Sequence, residues 1–532
     1  MNIREAKEEI IHTVRAYLDK DETGAYTIPP ERQRPLLLMG PPGIGKTAIM
    51  EQVAQECGIG LVSYTITHHT RQSAIGLPFI SRRTYGEKEY SVTEYTMSEI
   101  IAAVYDQIEA SGVREGILFL DEINCVSETL APTMLQFLQY KTFGAHRVPD
   151  GFIIVTAGNP PQYNKSVRDF DIVTLDRLRR IDIEEDFDAF KEYASRAGLH
   201  GSVTAYLGIR SDHFYSIRTE VEGRHFVTAR GWEDLSRTIQ VHEKRGLPVN
   251  DQLVVQFLQD PEIARSFAAY YDLYVKYKEI YRVPDILAGR FFPEDESREA
   301  GIDLDPVRIG EMKEAPFDEK LSLISLLTDA LSQSFAACAR DKAVQEMLMQ
   351  VLGRVRGALK AVDAAASQDT SRFSSGMEGA DAVREESSGI LAGLRRKKEA
   401  GIPVPRDLER VQRLTSQALD GLERQLRDRA ASMREAPAAQ YLFIRDWFSA
   451  REEKRQTAVT EAGDQLTNVF RFLSRVYGDG QEMVLFLTEL SAGYYSLRFI
   501  NEHGNEAYFR YNRMLLLRDR RDSLREEVLR LL

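Results

Sequence analysis

Eight consecutive residues, Gly40-Pro41-Pro42-Gly43-Ile44-Gly45-Lys46-Thr47, fit the pattern G-x-x-x-x-G-K-[ST]. Glycines in such a loop let successive backbone N–H groups turn inward around phosphate oxygens. The Lys46 ammonium can reach β- and γ-phosphates, and the Thr47 hydroxyl can be offered to Mg²⁺. The chemistry implied is binding of ATP with its metal. Average usage of these residue types gives about 0.02 chance matches in a chain of this length, so a merely glycine-rich turn is the weaker reading. Further along, Ile117-Leu118-Phe119-Leu120 is followed by Asp121 and Glu122. Asp121 can hold the Mg²⁺ shell, usually through water. Glu122 can polarise an attacking water. Strands often end in acids, so this second pattern takes its meaning from the loop that precedes it.

These residues need elements to hold them. The apolar run Leu36–Met39 leads into the loop, and a helix over Thr47–Cys57 leaves it, with Ala48 in the first turn facing the same phosphates. Further short apolar runs stand at Leu61–Tyr64, Ile117–Leu120 and Phe152–Thr156, with helical stretches Met97–Ala110 and Glu128–Leu138 among them. That alternation predicts an α/β fold with a parallel sheet, Asp121 sitting at a strand's C-terminal end, where ligands bind. Gly76–Tyr95 and Thr142–Gly151 interrupt it and read as hairpin insertions or ordinary surface loops.

The chain has 532 residues, enough for about three domains at roughly 100–200 residues each. The boundaries expected are an α/β core over 1–185, a small helical lid over 186–289, a charged, proline-bearing linker over 290–316 and a helical C-terminal region over 317–532. Ser367–Ala380 and Glu399–Pro405 read as breaks within that last region, and Gly478-Asp479-Gly480 as a turn before an apolar helix at Met483–Leu490. Met1–Leu18 reads as a charged amphipathic helix, with Ile10, Ile11 and Val14 near one face and Glu5, Glu8 and Glu9 where a signal peptide would be apolar. No apolar run approaches the ~20 residues needed to span a bilayer. Cys57, Cys125 and Cys338 form no CxxC pair, which argues for reduced cysteines, and a cytoplasmic setting is the expectation. The net charge of −12 counts against a general nucleic-acid binder, which needs a basic surface.

Beyond the loop and the acidic pair, the segments "TITHHTRQSAIGLPF", "TAGNP", "LDRLRRIDI" and "VTARGWEDL" stand in order along the chain. In these motifs it resembles the AAA+ ATPase superfamily, and most of all the MoxR branch, over about Pro35–Pro284. The resemblance implies further roles. Asn159 matches the first sensor, which bonds the γ-phosphate or the attacking water; an asparagine near prolines is also a common turn former. Arg177 matches the arginine finger that reaches a neighbouring subunit's nucleotide. Arg179 and Arg180 stand beside it, and Leu178 replaces the family's usual phenylalanine. Arg230 matches the second sensor, reaching the nucleotide from the lid, although Thr228-Ala229 replaces the usual Ser-Pro and a capped helix with a surface arginine is the alternative. His68 and His69 are adjacent, so their side chains diverge, and no acid or cysteine nearby completes a metal set.

What the resemblance implies overall is an oligomeric ATPase, a hexameric ring or spiral, that remodels or matures a protein partner, often one carrying a von Willebrand factor A domain. The region 317–532 is an expected docking module. Two alternatives stand beside it: a nucleic-acid translocating motor, disfavoured by the acidic balance, and a nucleotide-gated scaffold with little turnover.

Overall fold

The structure is a computed structural model that describes residues 1–68, 76–143, 145–163, 170, 172–220, 223–291, 306–368, 377–399, 402, 404–432 and 436–514. The chain divides into two compact units: 1–189 with 389–410, and 190–388 with 411–532.

The first unit is built on a parallel sheet of five strands: β1 (Leu36–Met39), β2 (Gly60–Thr65), β5 (Gly116–Asp121), β8 (Phe152–Gly158) and β9 (Arg179–Asp182). Their order is β2-β5-β8-β1-β9. The sheet thus has β1 between β8 and β9, with Leu36 opposite both Val155 and Arg179. All of β1 and β8 is buried, which is why these strands read as unbroken apolar runs. Thr156 is the polar exception, and its hydroxyl donates to the Leu36 carbonyl at 2.9 Å. One face of the core gathers Leu37, Leu118, Leu120, Phe137, Phe152 and Ile154. The expected α/β class with a parallel sheet is what the structure has.

Two antiparallel hairpins interrupt this alternation. β3 (Pro78–Tyr85) pairs with β4 (Lys88–Tyr95), and the short β6 (Thr142–Phe143) pairs with β7 (His146–Arg147). Both fall inside the stretches that read as insertions. The N-terminal helix Ile3–Tyr17 is closed by a capping box between Asn2 and Glu5, and buries Ile10, Ile11 and Val14.

The second unit begins within helix Phe187–Ala197, continues with helix Gly201–Ile209, and then departs from the all-helical expectation with a hairpin of β10 (Ser216–Glu220) and β11 (Gly223–Val227). Helices Ala229–Arg245 and Pro261–Ile280 follow, with the long helices Phe317–Gln368, Pro437–Tyr477 and Gln481–Ala492; helices Glu378–Glu399 and Arg406–Ser432 are shared in sequence with the first unit, which takes residues 389–410. One apolar core joins Tyr274, Ile286 and Phe291 to Leu323, Leu327, Phe335, Phe470 and Phe486. The described helices on either side of 290–316 therefore share a core. Phe317–Val362 is long and apolar enough on average to cross a membrane. In this fold its Leu323, Ile324, Leu327 and Leu331 are part of that core. Most of the expected linker and of the Ser367–Ala380 break lies outside the described residues, as does His69.

Candidate functional site

Strand order explains why residues far apart in sequence meet. β5, β8 and β1 are neighbours in the sheet, and parallel strands lie about 4.8 Å apart with their C-terminal ends at one edge. Asp121 ends β5, Asn159 follows β8, and Gly40 follows β1. All three are delivered to the same edge.

The loop between β1 and helix Lys46–Cys57 turns through Gly45, which sits at φ +98° as the helix N-cap. A side chain there would be strained, and the glycine lets the loop's N–H groups face inward. Lys46 is 92% shielded from solvent (8% exposed), and its ammonium donates to the carbonyls of Gly40 at 2.8 Å and Pro41 at 2.7 Å. It also donates to the Asn159 side-chain oxygen at 2.9 Å. Thr47, exposed at the helix start, donates its hydroxyl to Asp121 Oδ2 at 2.8 Å. The second Asp121 oxygen, Oδ1, accepts from the Glu122 backbone N–H at 2.9 Å.

Glu122 has φ 57° and ψ 36°, a left-handed conformation rare outside glycine. Such a conformation costs about 1–3 kcal/mol and persists where the surroundings hold it. It swings the chain out of β5 into the turn Ile123–Cys125. The Glu122 carboxylate accepts from the Thr67 hydroxyl at 3.0 Å, and Thr67 lies in the turn Ile66–His68 after β2. So two hydrogen-bonded sets meet at this edge: Lys46 with Asn159, which Asn124 also bonds, and Thr47 with Asp121 and Glu122, which Thr67 also bonds.

Neither Thr67 nor Asn124 stands out in the sequence as a site residue. Thr67 lies in the quoted segment "TITHHTRQSAIGLPF", and Asn124 follows the acidic pair by two positions. Those positions were the available signal.

Arg177 is also in this unit, in the turn after the short helix Ile172–Leu175. It is exposed, and its guanidinium donates to Gln139 Oε1. Its neighbours are engaged differently. Arg179 bonds to Glu9 and to the Thr13 hydroxyl, and Arg180 to Asp182. Leu178 is buried in the core, so an aliphatic side chain fills that place. Arg230 belongs to the second unit, where it lies exposed in the first turn of helix Ala229–Arg245, capped by the Thr228 hydroxyl on Gly231 N–H at 3.3 Å.

The donor set suits a metal–nucleotide pair. Thr47 Oγ1 and Asp121 Oδ2 are hard oxygen donors held 2.8 Å apart at the mouth of the loop, the type that Mg²⁺ prefers. The helix N-terminus and the Lys46 ammonium supply the positive field that phosphates require. A comparison with curated proteins finds no match for the chain. Residues 36–176, which hold β1, the loop, the acidic pair and Asn159, match the family model described as "ATPase family associated with various cellular activities (AAA)", and this supports placing the unit among the AAA+ ATPases.

Proposed function

We propose that this chain is a Mg²⁺-dependent ATPase of MoxR type, assembled head to tail as a hexameric ring or spiral, that couples hydrolysis to remodelling or maturation of a protein partner. The observation that carries the chemistry is the delivery of two hydrogen-bonded sets, Lys46 with Asn159 and Thr47 with Asp121 and Glu122, to one edge of the sheet. The loop from Gly40 to Ala48 holds the phosphates. Thr47 and Asp121 hold Mg²⁺, which when bound offsets charge on the phosphate oxygens. Glu122 takes a proton from the attacking water as the bond to the γ-phosphorus forms and the bond to the β–γ bridging oxygen breaks. Asn159 orients that water or the γ-phosphate, and Arg177 answers charge on a neighbour's nucleotide. Arg230 acts as the second sensor.

The remodelling reading draws on the MoxR-like motifs and on the surface of the β3–β4 hairpin. That hairpin exposes Phe79, Ile80, Tyr85, Tyr90 and Tyr95, with Ile80 at 76%. Clustered exposed aromatics suit contact with another protein more than with a phosphate backbone. We assign docking of a partner, of the kind carrying a von Willebrand factor A domain, to the region 317–532.

Two variants and one ion removal test the ATPase part. Lys46→Ala is expected to lose nucleotide affinity in a fluorescent-nucleotide titration. Glu122→Gln is expected to keep affinity while phosphate release falls roughly 10²-fold or more. Unchanged affinity in the first, near-normal turnover in the second, or full turnover in excess chelator would each reject the corresponding assignment.

A further inference from the structure

Asn124 lies in the turn that leaves Glu122, is 2% exposed, and lines no motif assigned above. Its Nδ2 donates to the main-chain carbonyl of Asn159 at 2.8 Å. Its Oδ1 is buried with no hydrogen-bond partner. An unpaired buried amide oxygen is unfavourable, so packing alone would be better served by an apolar side chain of similar size. The amide also lies flat against Gly158. A Cβ at Gly158 would fall 2.6 Å from Oδ1, 2.8 Å from Cγ and 3.0 Å from Nδ2 of Asn124. Strand β8 thus ends in the one residue type that lets this amide approach. On the side-chain side of the same residue, Asn159 Oδ1 accepts from Lys46 Nζ at 2.9 Å. Asn159 is gripped twice, through its main chain by Asn124 and through its side chain by Lys46.

We propose that Asn124 is a positioning residue for hydrolysis. It ties the turn that bears Glu122 to the strand end that bears Asn159, so that the base and the sensor amide keep one relative placement. The proposal rests on the ATPase reading above and deepens it. Asn124 touches neither nucleotide nor water in this scheme, and acts through Asn159. A misplacement of about 1 Å in a reacting constellation can lower a rate by roughly 10²-fold. Loss of this tie should therefore appear in turnover and not in nucleotide binding.

The test uses the full-length chain, kcat from phosphate release, and affinity for methylanthraniloyl-ATP. Asn124→Asp keeps the side chain's size and replaces its donor by an acceptor. It is expected to lower kcat by about 10- to 100-fold with affinity changed less than about threefold. The same substitution is then made in an Asn159→Ala background. If Asn124 works through Asn159, its effect on kcat there shrinks to less than about threefold, whereas a packing role leaves it unchanged. Wild-type turnover in Asn124→Asp, or equal losses in both backgrounds, overturns the proposal. Should Asn124→Asp fail to fold or to bind nucleotide, Gly158→Ala, which pushes the same amide aside, is read through the same cycle against the same criteria. A wild-type chain that neither binds nor hydrolyses ATP would fail before any variant is made, and that failure falls on the ATPase reading.

Discussion

Lys141 offers a quantitative test of how the first unit is held. It follows helix Ala131–Tyr140 at φ 56°, and its side chain is buried, with the residue 6% exposed. Its ammonium donates to Gln33 Oε1 at 3.3 Å. Burial, helped by the nearby Arg147 guanidinium, lowers the Lys141 pKa from 10.5 to about 8, with Asp150 and Glu31 opposing. Both acids are engaged by Arg147, at 3.3 Å and 2.6 Å. A shift of that size corresponds to about 3 kcal/mol at ~1.4 kcal/mol per unit. The sign follows from proton counting. Between pH 8 and 10.5 the unfolded chain holds this proton more tightly than the fold does, so stability rises with pH there. The destabilisation is complete below about pH 8 and fades toward pH 10.5. Lys141→Met keeps the unbranched stem and the backbone conformation and removes the charge. It leaves Gln33 Oε1 without its donor, a loss of about 1–2 kcal/mol. The expected net gain at pH 7 is then about 1–2 kcal/mol, or roughly 5- to 30-fold slower amide exchange in globally protected strands. Peptides covering Ile117–Leu120 and Phe152–Thr156 report on it by hydrogen exchange, variant against wild type at matched pH. Equal protection at pH 7, or a stabilising gap that is undiminished at pH 10, would refute this account of Lys141.

Two further predictions concern assembly and acid stability. If Arg177 acts on a neighbouring subunit, Arg177→Ala and Lys46→Ala chains are each inactive, and mixing them restores part of the turnover at interfaces that pair an intact arginine with an intact loop; co-assembled mixtures with no activity, or a full rate from isolated monomer, would remove Arg177 from that role. In the second unit the Glu243 carboxyl is lowered from 4.5 to about 2, first by its hydrogen bond with His200, while burial opposes. A depressed carboxyl stabilises the fold above about pH 4.5 and loses that contribution as pH falls toward 2. His200→Ala should therefore move the acid unfolding midpoint, followed by the fluorescence of Trp232 and Trp447, to higher pH; an unmoved midpoint means that this pair does not govern acid stability.

How much of this was legible in the sequence depended on which forces wrote it. β1, β5 and β8 are covered on both faces, so they had to be continuous apolar runs, and they read as such. β9 was missed as a strand because it is an edge: of Arg179-Arg180-Ile181-Asp182 only Ile181 is buried, and three polar residues in four hide the strand. The β10–β11 hairpin was missed for a related reason. Arg218 and Thr219 lie opposite His225 and Arg224, so cross-strand polar pairs stand where an apolar alternation would have signalled a hairpin. The phosphate loop was legible because its chemistry is local, carried by eight contiguous residues. Asn124 and Thr67 were not, because each acquires its place only when the sheet brings β8 and β2 alongside β5.

The stretch 290–316 shows the same principle at the scale of domains. Charge and prolines made it read as a linker, and composition reports only what a segment does with its own side chains. It cannot report whether the helices on either side bury apolar residues against each other. Here they do: Ile286 shares a core with Leu323, Leu327 and Phe472, and Phe291, within the stretch itself, joins that core, its ring meeting that of Phe472 edge to face at 5.5 Å. The Asn468 side chain also donates to the Leu287 carbonyl at 2.9 Å. Cutting the chain at Phe317 would strip apolar partners from Ile286 and Phe291 and a donor from Leu287 at once. Large apolar side chains left without partners are each worth a few kcal/mol, a large share of a typical stability. A truncation that fails to fold would thus report on this shared core, and docking by the helical region is better tested by point substitutions at its exposed positions, such as Met349 and Leu442.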